Sequence, residues 1–107
     1  EDIIIDIKNK NIPTTKLAGH YHDTYNKAID NVIISLNHGI KTFDTSIAGL
    51  GGCPFAPGAS GNLATQKLIR FLELNEIRTD LNNSKINFTS DLIFKNLNKE
   101  KYPIIIE

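Results

Sequence analysis

Two short apolar stretches, each followed by a helical pattern, set the narrowest limit on what this chain can fold into. Leu17-Ala18-Gly19-His20-Tyr21-His22 reads as a short buried strand, and Ile40 to Ile47 is β-branched and reads as the next. Between them Tyr25, Ala28, Ile29, Val32 and Leu36 recur at i, i+3, i+4, i+7 and i+11, which is one apolar face of a helix. Ala64, Leu68, Phe71 and Leu72 mark a second helix after the second strand. Strands alternating with helices imply parallel βα units. A parallel sheet must be covered on both faces or closed into a barrel. Two strands achieve neither, and a TIM barrel takes about 250 residues. The chain has 107 residues, enough for one small domain and too few for a complete barrel.

The remaining segments add little to that frame. Asp23-Thr24 suits a helix start, where either side chain can cap free backbone N–H groups. Gly39 suits the residue just past a helix end. Residues 2–10 fit a helix or a strand, because Ile3, Ile4 and Ile7 share a helix face while the triple isoleucine also suits a strand. Pro13 ends whichever forms. Residues 80–98 are expected to form one or two short helices, and the tail Tyr102–Glu107 is left unassigned.

Charge and composition exclude several classes of function. Lys plus Arg and Asp plus Glu balance at 12 each, so no net field favours nucleic acid or an anionic membrane. No apolar run approaches the roughly 18 residues of a membrane span, and no signal segment opens the chain. A single cysteine cannot form an internal disulfide, so a reducing compartment is expected. There is no methionine, and Lys outnumbers Arg ten to two. A segment cut from a longer reading frame in an AT-rich genome is the expected origin.

Two constellations carry chemistry. His20-Tyr21-His22-Asp23 stands at a strand end, where residues i and i+2 share a face. Both imidazoles then aim at one point, as a divalent metal requires, although two ordinary histidines at a strand end would look the same. The second is the loop Ala48–Asn62, with five glycines in fifteen residues. Its glycines permit close backbone approach, but Gly-Lys-Ser/Thr is absent, so it is not a P-loop. Cys53 lies in this loop rather than on an apolar helix face, so both a chemical role and an inert small residue fit it. Asn62, between loop and helix, could be simply a helix N-cap. Asp44 is either a strand-end carboxylate or a buried hydrogen-bond acceptor. His38, next to Gly39 at a helix C-terminus, reads as structural. The sequons Asn82-Asn83-Ser84 and Asn87-Phe88-Thr89 match glycosylation acceptors, but such matches are common by chance.

The runs Ala18-Gly19-His20-Tyr21-His22-Asp23-Thr24-Tyr25, Asp44-Thr45-Ser46-Ile47-Ala48-Gly49-Leu50-Gly51-Gly52-Cys53-Pro54-Phe55-Ala56 and Gly58-Ala59-Ser60-Gly61-Asn62-Leu63-Ala64-Thr65 resemble 3-hydroxy-3-methylglutaryl-CoA lyase in residues and spacing. The strong match covers about residues 17–66, and a weaker one continues to about residue 98. Isopropylmalate and homocitrate synthases share the His-x-His and a later Gly-Asn but lack the Gly-Gly-Cys-Pro loop, so the loop decides for the lyase.

The resemblance implies an α/β fold: residues 1–107 as the C-terminal portion of a TIM (β/α)8 barrel, with its last two strands, the signature loop and short C-terminal helices. It implies a divalent cation, Mg²⁺ or Mn²⁺, on His20, His22 and Asn62, with His20 also in proton transfer. Cys53 matches the family's active-site cysteine. The implied reaction is cleavage of hydroxymethylglutaryl-CoA to acetyl-CoA and acetoacetate, as in leucine degradation and ketone-body formation. The implied partners are that substrate and the missing N-terminal part of the barrel; a homodimer is allowed once the barrel is complete. A bacterial cytoplasm, or a mitochondrial matrix in a eukaryote, is the expected location.

The chain also departs from the family pattern. Nothing in it corresponds to the Asp-Arg pair of the first barrel strand. Asn26 stands where glycine is usual and Gln66 where glutamate is usual. Asn98 matches a position associated with CoA, but Glu100 replaces a basic residue. The chain alone is therefore expected to lack lyase activity. Its rivals are a decayed or split-gene product, a sibling acyl-CoA condensing enzyme, and a small metal-binding or adaptor module.

Overall fold

The computed structural model describes residues 1–51 and 61–97. Its elements are α1 (Asp2–Asn9), β1 (Gly19–His20), α2 (Ala28–Asn37), β2 (Phe43–Asp44), α3 (Thr65–Leu74) and α4 (Asn83–Leu97). The two strands pair in parallel, with Gly19 opposite Phe43 and His20 opposite Asp44. A helix between two parallel neighbours is the βαβ arrangement expected from the sequence pattern.

The core forms where α2 and α3 meet the strand ends. Ala28, Val32, Leu63 and Leu68 make one buried cluster, and Tyr21, Ile29, Leu36, Phe43, Phe71 and Leu72 pack against it. The Tyr21 hydroxyl lies 2.5 Å from Ser35 Oγ, so both polar groups in this apolar layer have a partner. Gly19 is required by the packing around it. A Cβ there would come within 2.7 Å of the Tyr21 ring and 2.8 Å of the Phe43 ring, which close over the glycine.

Three helices end in the same way. After α2, Gly39 adopts a positive φ and donates to Leu36 O, while Ile40 donates to Ser35 O. This double bond pattern is a Schellman motif. After α1 the left-handed position falls to Asn11, and after α3 to Glu76, with the matching bonds from Ile12 to Ile7 O and from Ile77 to Leu72 O.

The ambiguous first segment is helical, yet no residue of α1 is buried. α4 buries Ser90 and Phe94, and like α3 it lies against the turn Ile47–Gly49. No helix among the described residues is long and apolar enough to cross a membrane.

Several expectations need correction. The strands are shorter than their apolar stretches, because regular pairing stops after His20 and Asp44 and single bridges take over. The helix does not start at Asp23-Thr24. Thr24–Asn26 is a 3₁₀ turn, and Asp23 Oδ1 instead accepts the N–H of Ala28. Tyr25 is not on the apolar face; it has a positive φ and is 89% exposed. The C-terminal region forms one helix, within the one or two expected, but at 15 residues it is longer than a short piece. Asn62 does not cap α3, whose N-cap position is Ala64. The tail Tyr102–Glu107, Asn98 and Glu100 lie outside the described residues.

Candidate active site

The strand ends meet at a stitched backbone junction. Residues 61–65 run between the extensions of β1 and β2. On one side Asp23 donates to Gly61 O at 3.0 Å and Leu63 donates to Tyr21 O at 2.9 Å. On the other, Ser46 donates to Leu63 O at 3.0 Å and Thr65 donates to Ser46 O at 2.9 Å. The loop closes on itself at its base, where Asn62 donates to Gly51 O at 3.0 Å. Gly61 makes that closure possible, since a Cβ there would run into the carbonyl oxygens of Gly49 and Gly51.

This junction brings three of the four expected site residues together. His20 ends β1, and its ring lies 5.6 Å, centroid to centroid, from that of His22. His22 forms an antiparallel bridge with Asn62. Residues directly opposite in such a pair send their side chains to the same side, so the Asn62 and His22 side chains leave the backbone on one side. Cys53, the fourth, lies outside the described residues.

The Asn62 amide is oriented by the loop. Its Nδ2 donates to Leu50 O at 2.8 Å, and only a donor can satisfy that carbonyl. The orientation leaves Oδ1 buried, with no hydrogen-bond partner among the described residues. A buried acceptor without a partner costs about 1–3 kcal/mol, so such an atom invites a ligand or an ordered water.

Two further pairings border the site. Asp44 ends β2 beside His20, with His20 Nδ1 3.7 Å from Asp44 Oδ2 and both side chains more than half exposed. Asp44 is therefore a strand-end carboxylate rather than a buried acceptor. Asp23 is engaged by Lys67 Nζ, which also reaches Asn26 Oδ1 at 3.3 Å. No sequence pattern pointed to Lys67, because the pair spans loop and helix. Beneath the loop, fully buried Gln66 accepts the N–H of Ala48 through Oε1 at 2.9 Å. Its Nε2 is buried without a partner among the described residues.

Among the described residues no group of three or more His, Cys, Asp or Glu side chains is arranged to hold a metal ion. A cation here would need the amide oxygen of Asn62 and further ligands from outside the described residues. The donor set fits: two imidazoles suit a divalent transition metal, and the partnerless oxygen supplies a hard third donor.

The HMGL-like family profile matches residues 1–93. The chain belongs to the HMGL-like family. Among its relatives, the mitochondrial hydroxymethylglutaryl-CoA lyase of Arabidopsis thaliana is 46% identical over 88 residues, covering 82% of this chain and 19% of the relative. A crystal structure of hydroxymethylglutaryl-CoA lyase from Pseudomonas aeruginosa superimposes with a TM-score of 0.81 at 40% identity, over 91% of this chain and 32% of that one. A lyase from Acinetobacter baumannii, in complex with coenzyme A and 3-methylmalate, gives a TM-score of 0.82 at 32% identity, over 94% of this chain and 32% of that one. The chain thus spans between a fifth and a third of the length of these HMGL-like proteins.

The family is one of enzymes, and the fold is the matching part of its α/β TIM barrel. In such barrels the site lies at the C-terminal ends of the strands. His20 and Asp44 are the last residues of their strands, so the cluster sits at the end of the sheet where this family's chemistry is expected.

Proposed function

We propose that this chain is the segment of a hydroxymethylglutaryl-CoA lyase that carries most of its cation ligands. The observation behind this reading is the buried Asn62 Oδ1, which has no hydrogen-bond partner among the described residues, on a residue bridged to His22. His20 Nε2, His22 and Asn62 Oδ1 would hold Mg²⁺ or Mn²⁺. A cation bound there would act as a Lewis acid on oxygen atoms of the substrate.

The chain's own groups account for proton movement and positioning. The resemblance gives His20 a part in proton transfer; with Nε2 on the cation and Nδ1 facing Asp44, the half-exposed ring would move the substrate's hydroxyl proton together with the Asp44 carboxylate. Loss of that proton lets the bond between the hydroxyl carbon and the acetyl-CoA carbon break, giving acetoacetate and an acetyl-CoA enolate. The enolate carbon then takes a proton, and Cys53 is the donor that the resemblance assigns. The thioester handle is supported by the Acinetobacter baumannii relative, whose structure contains coenzyme A.

Two arms test the reading. Mn²⁺ binding to the chain, followed by electron paramagnetic resonance, should be lost in His22→Ala. Full occupancy in that variant contradicts the cation assignment. In a completed barrel, Cys53→Ala should lower turnover by about 10²–10⁴ while substrate affinity changes much less. Unchanged turnover returns Cys53 to an inert residue.

A further inference from the structure

Parallel pairing fixes a relation between His20 and one carboxylate. His20 and Asp44 are direct partners across the two strands, so their side chains leave the sheet on the same side at the same end. The imidazole presents Nδ1 to Asp44, with 3.7 Å to Oδ2. Its other nitrogen, Nε2, is therefore turned away from Asp44. The carboxylate next in sequence to the histidines, Asp23, is already engaged by Lys67 and by the Ala28 N–H.

We propose that Asp44 is the positioning residue of the cation site: at 3.7 Å it stands just beyond hydrogen-bond range of His20 Nδ1, closes on that N–H when the cation binds, fixes the tautomer protonated there, and so presents Nε2 to the divalent ion. The proposal rests on the reading of His20, His22 and Asn62 as cation ligands. A histidine that binds a metal through one ring nitrogen commonly gives the other N–H to a carboxylate, which fixes the ring and its tautomer. Asp44 also places one negative charge beside a donor set of two imidazoles and an amide, none of which offsets the charge of a divalent ion. Its side chain is 68% exposed, so its place beside His20 is not a requirement of core packing.

The test uses the full 107-residue chain with ¹⁵N-labelled histidine. Long-range ¹⁵N–¹H correlation, at a pH where imidazole is neutral, reads the His20 tautomer directly. Zn²⁺, a diamagnetic stand-in for the divalent ion, then shows which nitrogen coordinates. The expected result is the Nδ1–H tautomer, coordination through Nε2, and a Zn²⁺ affinity about 10–100-fold weaker in Asp44→Ala. Amide spectra of Asp44→Ala check that its fold is kept. Coordination through Nδ1, or equal affinity in a folded Asp44→Ala, overturns the proposal. Should that variant fail to fold, the tautomer and the coordinating nitrogen in the unmutated chain still decide it. No Zn²⁺ binding by the unmutated chain overturns the cation site itself, whereas binding that His22→Ala abolishes and Asp44→Ala leaves intact overturns only the role of Asp44.

Discussion

The strand-end junction and the first helix are built from similar apolar residues but are satisfied in opposite ways. At the junction Leu63 is fully buried, and its N–H and carbonyl bond to Tyr21 and Ser46 on the two strand extensions. In α1 no residue is buried, and Ile3 is 75% exposed. Leu74, at the end of α3, and Phe88, on α4, are similarly open, at 76% and 69%. Large apolar side chains exposed singly in this way add little to the core. The contrast teaches that the junction is held by local backbone pairing around a buried side chain, whereas these outer apolar side chains pack on little among the described residues.

Breaking the junction should have the largest effect. Gly61→Ala drives a methyl group into backbone carbonyls that cannot swing aside, so the loop base must open. Overpacking against backbone of this kind is expected to cost about 3 kcal/mol or more. Urea denaturation would measure it, and a loss below about 1 kcal/mol would mean that the base of the loop is not closed as described.

A matched pair of truncations sharpens the comparison. Leu63→Ala removes a fully buried side chain and should cost about 2–5 kcal/mol. Ile3→Ser replaces an exposed side chain and should fall within about 0.5 kcal/mol of no change. Equal costs in the two variants would show that α1 is packed in solution, against this account. A smaller effect is expected at the end of α3. Glu76 holds a left-handed conformation that glycine adopts freely. Glu76→Gly should therefore stabilise by about 1 kcal/mol, and thermal melting would detect destabilisation if the Schellman end does not form.

The legible parts of the fold were those governed by periodicity. The α2 face, the α3 face, the glycine ending α2 and the parallel order of the strands all follow from spacing and turn chemistry. Tyr25 was misplaced because its spacing fits the helix, while the backbone turns left-handed just before the helix begins. The strands were drawn too long because β-branched residues continue past the point where pairing gives way to single bridges. At the site, the proximity of His20 to His22 followed from strand geometry. The place of Asn62 did not: by position alone a helix-cap role was the better fit, and it is excluded because the N-cap of α3 is Ala64 while Asn62 pairs with His22 and bonds Leu50. The Lys67–Asp23 pair and the Gln66–Ala48 bond join residues 44 and 18 positions apart, and no local pattern marks either of them.

The central claim is that these residues form a working part of a lyase barrel. The most direct measurement is made on a hybrid in which residues 1–97 replace the matching segment of the Pseudomonas aeruginosa lyase. Its cleavage of hydroxymethylglutaryl-CoA to acetyl-CoA and acetoacetate would be followed with Mg²⁺ or Mn²⁺ present. The account predicts cleavage by the hybrid and its loss in the His22→Ala hybrid. A folded hybrid that binds the cation but leaves the substrate intact would contradict it.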